Sequence, residues 1–205
     1  MALALVSPAE VVTDAGDDEA RPADPDLPLV ERFKAGEQRA FDEIVRRHQQ
    51  SLWRMARRYV KNDADAADVV QQTFVRAFKA LAKFRAASTV RTWLYRIAIN
   101  LALNHVRDRR REEPAAPEDL AAASGVALAT GASRIIEGED AARLRAAIEA
   151  LPPKQRMVLE LRVYDDLPFK EVADLADCTE NAAKVNFHYA VKRLRELLGA
   201  EAVMS

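Results

Sequence analysis

Apolar residues recur along this chain at steps of three and four, and no stretch alternates as a half-buried strand does. The pattern therefore predicts helices throughout. Its centre is STVRTWLYRIAINLALNHVRDRRR, residues 88–111. Val90, Trp93, Leu94, Ile97, Ala98 and Leu101 form one stripe on a helix that Ser88 or Thr89 can cap. Arg91, Arg96, Asn100, Asn104, His105, Arg107 and the run Arg109, Arg110, Arg111 take the remaining positions, with cations densest toward the C-terminal end, where the helix dipole favours them. One face is expected to pack, and the other suits phosphates and bases.

The segments before it follow the same logic. Residues 27–35, LPLVERFKA, predict a short helix with Asp26 as cap, Pro28 in the first turn and Gly36 just past the end. From about residue 38 to 60, Phe41, Ile44, Val45, Leu52, Met55, Ala56 and Tyr59 make an inner stripe, with Arg39, Arg46, Arg47, Arg54, Arg57 and Arg58 mostly outside it. Asn62 breaks that pattern. The next helix opens with Asp63, Asp65 and Asp68 and turns Val69, Val70, Thr73, Phe74, Ala77, Phe78 and Leu81 inward. The three acids invite a metal reading, but carboxylates in a first helical turn cap free amides and complement the dipole. The glycine and terminal glutamate of a calcium loop are also missing, so no metal site is expected.

After residues 112–138, rich in Ala, Gly, Pro and Ser and read as a flexible tether, a second helical set begins. Ala142, Leu144, Ala147, Ile148 and Leu151 make a modest stripe that Pro152 and Pro153 close. Met157, Val158, Leu161 and Val163 face inward on the next helix, and residues 165–168 form a turn. A short helix over residues 169–176, a tight connection at residues 177–179 and a long helix over residues 180–198 make a helix-turn-helix pattern. Ala183, Phe187, Ala190, Val191 and Leu194 are its core side. Glu180 starts the long helix, and Asn181, Ala182, Lys184, Val185, Asn186, His188 and Tyr189 face outward near the end that such folds push into the major groove. The fold class expected is all-α: two small helical domains joined by a flexible linker. The boundaries are a disordered acidic tail at 1–27, a first domain at 28–111, the linker at 112–138, a helix-turn-helix domain at 139–199 and a tail at 200–205.

Charge sharpens this division. The net charge of −1 over 205 residues hides four blocks. Residues 1–28 carry −6, residues 29–111 carry +11, residues 112–140 carry −6, and residues 141–205 are neutral. A basic block of that size is the electrostatic footprint of a polyanion binder. The single cysteine, Cys178, excludes an internal disulfide framework, and His48, His105 and His188 are too scattered for a standard zinc spacing. No basic n-region opens the chain and no stretch reaches a membrane span, so a cytoplasmic protein without membrane insertion is expected. No nucleophile–base pair, phosphate loop or metal set can be assembled, which argues against an enzyme and against a cofactor.

Taken together, AFDEIVRRHQQSLWRMARRYV, DAADVVQQTFVRAFKALAKF, TWLYRIAINLALNHVRDRRR and LPPKQRMVLELRVYDDLPFKEVADLADCTENAAKV resemble an extracytoplasmic-function sigma factor, the smallest two-domain class of the bacterial sigma-70 family. The resemblance covers residues 28–111 and 139–198. It implies a non-enzymatic role: docking on core RNA polymerase, bringing it to promoter DNA and helping to open the duplex, with double-stranded DNA and the melted single strand both bound. It also implies control by an anti-sigma factor.

Site residues follow by motif. The DAADVVQQTF helix corresponds to the family's polymerase-binding element, with Asp68, Gln71 and Gln72 at the exposed positions. The loop and helix FRAASTVRTWLYRIAIN correspond to the minus-ten reader, where an unstacked base must be captured by aromatic, amide and cationic groups. Phe84, Arg85, Ser88, Thr89, Arg91, Trp93, Arg96, Asn100 and Asn104 are the candidates, although the place of Trp93 in the apolar stripe favours packing over base stacking. Arg107 and the arginines after it suit phosphates without sequence preference. The helix from Glu180 would read the minus-thirty-five element. There the chain departs from the family: many relatives carry Thr-Val-Lys-Ser-Arg and a further Arg three residues on, where this chain has Ala182, Ala183, Lys184, Val185, Asn186 and then Tyr189. Arginine reads guanine bidentately and asparagine pairs with adenine, so a less guanine-dependent upstream element is expected. The alternative is an autonomous helix-turn-helix regulator, which would dimerise on a palindrome. The +11 block argues against reducing the first domain to a dimerisation bundle.

Overall fold

The computed structural model describes residues 24–60, 62–112 and 139–202, and among them every regular element is helical. The acidic stretch 1–23, residue 61, the tether expected at 113–138 and residues 203–205 lie outside the described residues. The first domain comprises α1 (Leu27–Lys34), α2 (Arg39–Tyr59), α3 (Asp63–Ala80) with a 3-10 turn at Leu81–Lys83, and α4 (Val90–Glu112). The second comprises α5 (Glu139–Glu149), α6 (Pro153–Val163), α7 (Phe169–Ala176) and α8 (Glu180–Ala202), so α8 outlasts its expected end.

Local chemistry explains the boundaries. Gly36, at φ +100°, adopts the left-handed backbone that stops α1. Asn62, which reads in the sequence only as a break, is the N-cap of α3: its side-chain oxygen accepts from the Asp65 amide at 2.8 Å. Thr89 caps α4 by accepting from the Thr92 amide at 3.1 Å. Asp26 caps nothing. Its carboxylate lies 2.6 Å from His48 Nε2 and 3.0 Å from Arg47 Nη1, clasping α1 to α2. Burial alone would raise the Asp26 carboxyl, but the hydrogen bonds and charges of His48 and Arg47 outweigh it and hold it below its ordinary value. Asp24, within the stretch expected to be disordered, accepts from the Val90 amide at 2.7 Å and so holds the first turn of α4.

The inner stripes of α2, α3 and α4 meet as expected around Ile44, Leu52, Met55, Tyr59, Val69, Ala77, Leu94 and Ala98. Phe78 departs from its inward assignment. It sits at the rim, 41% exposed, edge-on to Phe33 and Phe41 at 5.3 and 5.2 Å. Val163, expected inside, is 58% exposed because α6 ends there. Arg58, read as lying outside the stripe, is buried. Its burial has one cause: α4 and α7 touch, and the first domain's apolar core runs without interruption into Val158, Leu161, Leu167, Val172 and Ala173 of the second. A smaller cluster of Ile148, Leu151, Leu159 and Ala190 joins α5, α6 and α8.

Candidate nucleic-acid interface

The loop entering α4 begins at Phe84, which is buried against Trp93 with ring centroids 5.2 Å apart. Arg85 is exposed, and Ser88, Thr89 and Trp93 are half-buried. Ala86 holds φ +55°, a strained value for a residue with a Cβ, and so turns the chain sharply into the helix. Further along, Arg96, Asn100, Asn104 and Arg107 recur at steps of four and three and are all exposed, which gives α4 one continuous polar stripe. Asp65 of α3 pairs with Arg109 at 2.9 Å and lies 3.2 Å from His105 Nε2, fixing the C-terminal half of α4 on α3. Asp63, another of the acids weighed as a metal ligand, pairs instead with Arg57 at 2.6 Å.

The opposite flank of α4 departs from expectation. The sequence assigns one packed face, yet Thr92 and Tyr95 are also buried, and Arg91 is half-buried and lies over the Tyr95 ring. The second domain covers this flank. No signal in the sequence marks it, because every residue carrying it is polar or charged and sits where solvent would be expected.

On α3, Asp68, Gln71 and Gln72 are exposed on the side facing away from Val69, Thr73 and Ala77, and Val75 and Phe78 extend the same surface with apolar area. In the second domain α7 ends at Asp177 in the left-handed conformation, and the Cys178 amide returns to the Ala173 carbonyl at 3.1 Å. Cys178 is half-buried against the core. Thr179 then caps α8, accepting from the Ala182 amide at 3.2 Å. Asn181, Lys184, Val185, His188 and Tyr189 form an exposed row at steps of three and four, with Ala182 and Asn186 half-buried at its edge. Lys184 pairs with Glu180 at 3.1 Å. The Asn186 amide nitrogen donates to the Ala182 carbonyl at 2.8 Å. Two polar helix faces on separate domains, one cationic and amide-rich, the other short and mixed, suit two separate stretches of nucleic acid.

Comparison with known proteins agrees with this arrangement. The family model described as sigma-70 region 2 matches residues 44–112, and that for sigma-70 region 4 matches residues 141–194. The chain is 37% identical over 160 residues to the ECF RNA polymerase sigma-E factor of Escherichia coli K12, covering 75% of this chain and 83% of that protein. It is also 37% identical over 164 residues to the RNA polymerase sigma-H factor of Pseudomonas aeruginosa, with the same coverage. Among solved structures, CnrH in complex with the cytosolic domain of CnrY superposes with a TM-score of 0.62 at 28% identity, over 85% of this chain and 97% of that one. The sigma factor RpoE of Bartonella quintana, in complex with the anti-sigma factor NepR, has the same fold, with a TM-score of 0.61 at 22% identity over 78% and 98% of the two chains. With both regions matched in order and at this identity, the chain belongs to the extracytoplasmic-function group of the sigma-70 family, the alternative sigma factors of transcription initiation.

Proposed function

We propose how this alternative sigma factor divides its work among three surfaces. Asp68, Gln71 and Gln72, on the outer face of α3, contact core RNA polymerase. Arg85, Ser88, Thr89, Arg91, Arg96, Asn100 and Asn104 capture the melted minus-ten strand, with Phe84 and Trp93, packed at a tilt, as the platform beneath and Arg107 on phosphates. The outward row of α8, with Asn186 at its edge, reads the minus-thirty-five element in the major groove. On this reading the polymerase performs all the catalysis, and the protein acts in the cytoplasm, where the enzyme and the chromosome are. No helix among the described residues is long and apolar enough to cross a membrane.

The observation that carries the function is the ordered pair of sigma-70 regions in one chain, each on its own helical set. The RpoE of Bartonella quintana, which shares this fold, is bound to the anti-sigma factor NepR. We extend that to this protein as control by an anti-sigma factor.

Run-off transcription with bacterial core polymerase, with and without this protein, on promoter fragments from its own genome tests the reading. Discrete new start sites are expected, and Asp68→Ala combined with Gln72→Ala should abolish them by weakening polymerase binding. Loss of transcription with polymerase affinity intact would overturn the α3 assignment.

A further inference from the structure

The residues just ahead of α1 tie α2 to α4. Asp26 is anchored on α2, 2.6 Å from His48 Nε2 and 3.0 Å from Arg47 Nη1, and Arg47 also reaches the Pro25 carbonyl at 3.4 Å. Asp24 makes the other anchor. One of its carboxylate oxygens accepts from the Asp26 amide at 3.0 Å and the second accepts from the Val90 amide at 2.7 Å. Residues 24–26 thus form a strap from the middle of α2 to the first turn of α4, and both acids are committed to it. The strap lies ahead of residues 44–112, which match region 2, and none of the residues assigned to the nucleic-acid surface belongs to it.

Val90 is where α4 meets the loop that carries Arg85, Ser88 and Thr89. The first amides of a helix have no acceptor within it and must find one outside. Thr89 supplies two: its hydroxyl accepts from the Thr92 amide at 3.1 Å and its carbonyl from the Trp93 amide at 3.0 Å. The Val90 amide takes its acceptor from Asp24, 66 positions away in the chain. The loop needs such an outside hold. Ala86 keeps φ +55° within it, a conformation that costs energy for a residue with a Cβ and persists only where the surroundings fix it. A carboxylate at the threshold of a polyanion-binding surface also repels phosphates. Its bond to the Val90 amide offsets that cost.

We propose that Asp24 is a positioning residue for minus-ten capture: it caps α4 from outside the loop and so fixes Ser88, Thr89 and Arg91, about the Val90 junction, in the orientation that receives an unstacked base. The proposal rests on the reading of this loop and α4 as the minus-ten surface. Asp24 itself touches no nucleotide. It raises the fraction of molecules whose loop already holds the receiving conformation, and apparent affinity for the correct strand scales with that fraction.

A positioning group and a repelling charge give opposite signs when removed. The full chain, bound to bacterial core polymerase, is offered a pool of short random-sequence single-stranded DNA. The sequence it selects most strongly and a scramble of the same composition are the two probes, with affinities read by fluorescence anisotropy. Asp24→Ala is expected to lower the ratio of selected to scrambled affinity by about fivefold. Asp24→Asn, which keeps an acceptor oxygen for the Val90 amide without the charge, should stay within about twofold of the parent. Circular dichroism checks that both variants keep their helices. An unchanged ratio in Asp24→Ala would overturn the positioning role, and tighter binding of both probes would leave Asp24 as a repelling charge and overturn it equally. A fall in Asp24→Asn as deep as in Asp24→Ala would overturn capping as the cause. Arg85→Ala and Asn100→Ala separate the two readings. If the parent selects no sequence, or if these two variants keep its ratio, the minus-ten assignment falls and the role of Asp24 with it. If they lower the ratio while Asp24→Ala does not, the role of Asp24 alone falls.

Discussion

Glu160 shows what one buried carboxylate does at the domain junction. Burial raises its carboxyl from 4.5 to about 7, against the opposing pull of Arg58 and Arg156, with the Asp165 carboxylate adding to the rise. Asp165 is raised as well, because burial outweighs Arg58 and the Tyr95 hydroxyl, whereas the Arg58 guanidinium, although opposed by burial, is held charged by Asp165 and Glu160. The sign follows from linkage. The folded state holds the Glu160 proton more tightly than the unfolded chain does, so the stability this group supplies is complete below about pH 4.5 and lost as pH rises through about 7. Replacing it with a neutral isostere removes that loss. Glu160→Gln is therefore expected to be more stable than the parent at pH 8, by on the order of 2 kcal/mol, with the difference closing toward pH 5. Thermal denaturation across that range measures it, and a gap that is constant with pH would refute the cause. Asn186 makes a second residue-scale case, on the recognition helix. If the α8 assignment holds, Asn186→Arg should shift the upstream element selected from a random duplex pool toward guanine by roughly 1–3 kcal/mol at one position.

At the scale of elements, the helices themselves were readable, because core positions at steps of three and four are a collective signal that single errors do not erase. Leu94, Ala98 and Leu101 fall where that spacing alone puts them, and of the two caps the sequence offers, Ser88 and Thr89, it is Thr89 that bonds the Thr92 amide. What was missed lay at the ends and flanks. Asp26 has the right residue type for a cap, but two neighbouring residues in the middle of α2, Arg47 and His48, compete for its carboxylate, and sequence distance conceals them. Asn62 reads in the sequence only as a break, yet it satisfies an orphan amide of α3. Its removal gives a direct check: Asn62→Ala should cost about 1 kcal/mol of stability, read by urea denaturation, and should weaken polymerase affinity only as far as it frays the first turn of α3, before Asp68. Of the candidate site, the polar stripe Arg96, Asn100, Asn104 and the outward row of α8 were legible because exposure follows periodicity. The burial of Thr92, Tyr95 and Glu171 was not, since polar residues buried by another domain carry the same pattern as polar residues in water.

For the whole molecule, the charge blocks marked two domains, but the apolar core joins them. Leu161, Leu167 and Val172 belong to the same buried cluster as Leu52 and Leu94. Such continuity predicts a single calorimetric unfolding transition for the full chain, where independent domains would give two. Arg58→Ala, by removing the buried cation that Asp165 and Glu160 share, should split that transition or lower it by several degrees. A parent chain already showing two transitions would contradict the joined core. Closure between parts of one chain has a further property, independent of which residues make it. Joined through residues 113–138, the second domain acts as a ligand whose local concentration at the flank of α4 it covers does not depend on how much protein is present. Any partner seeking the covered flank of α4 competes against that internal ligand, however scarce the protein is in the cell. A chain severed in that stretch would lose this protection: its closure would become dilutable, complete at high concentration and absent at low.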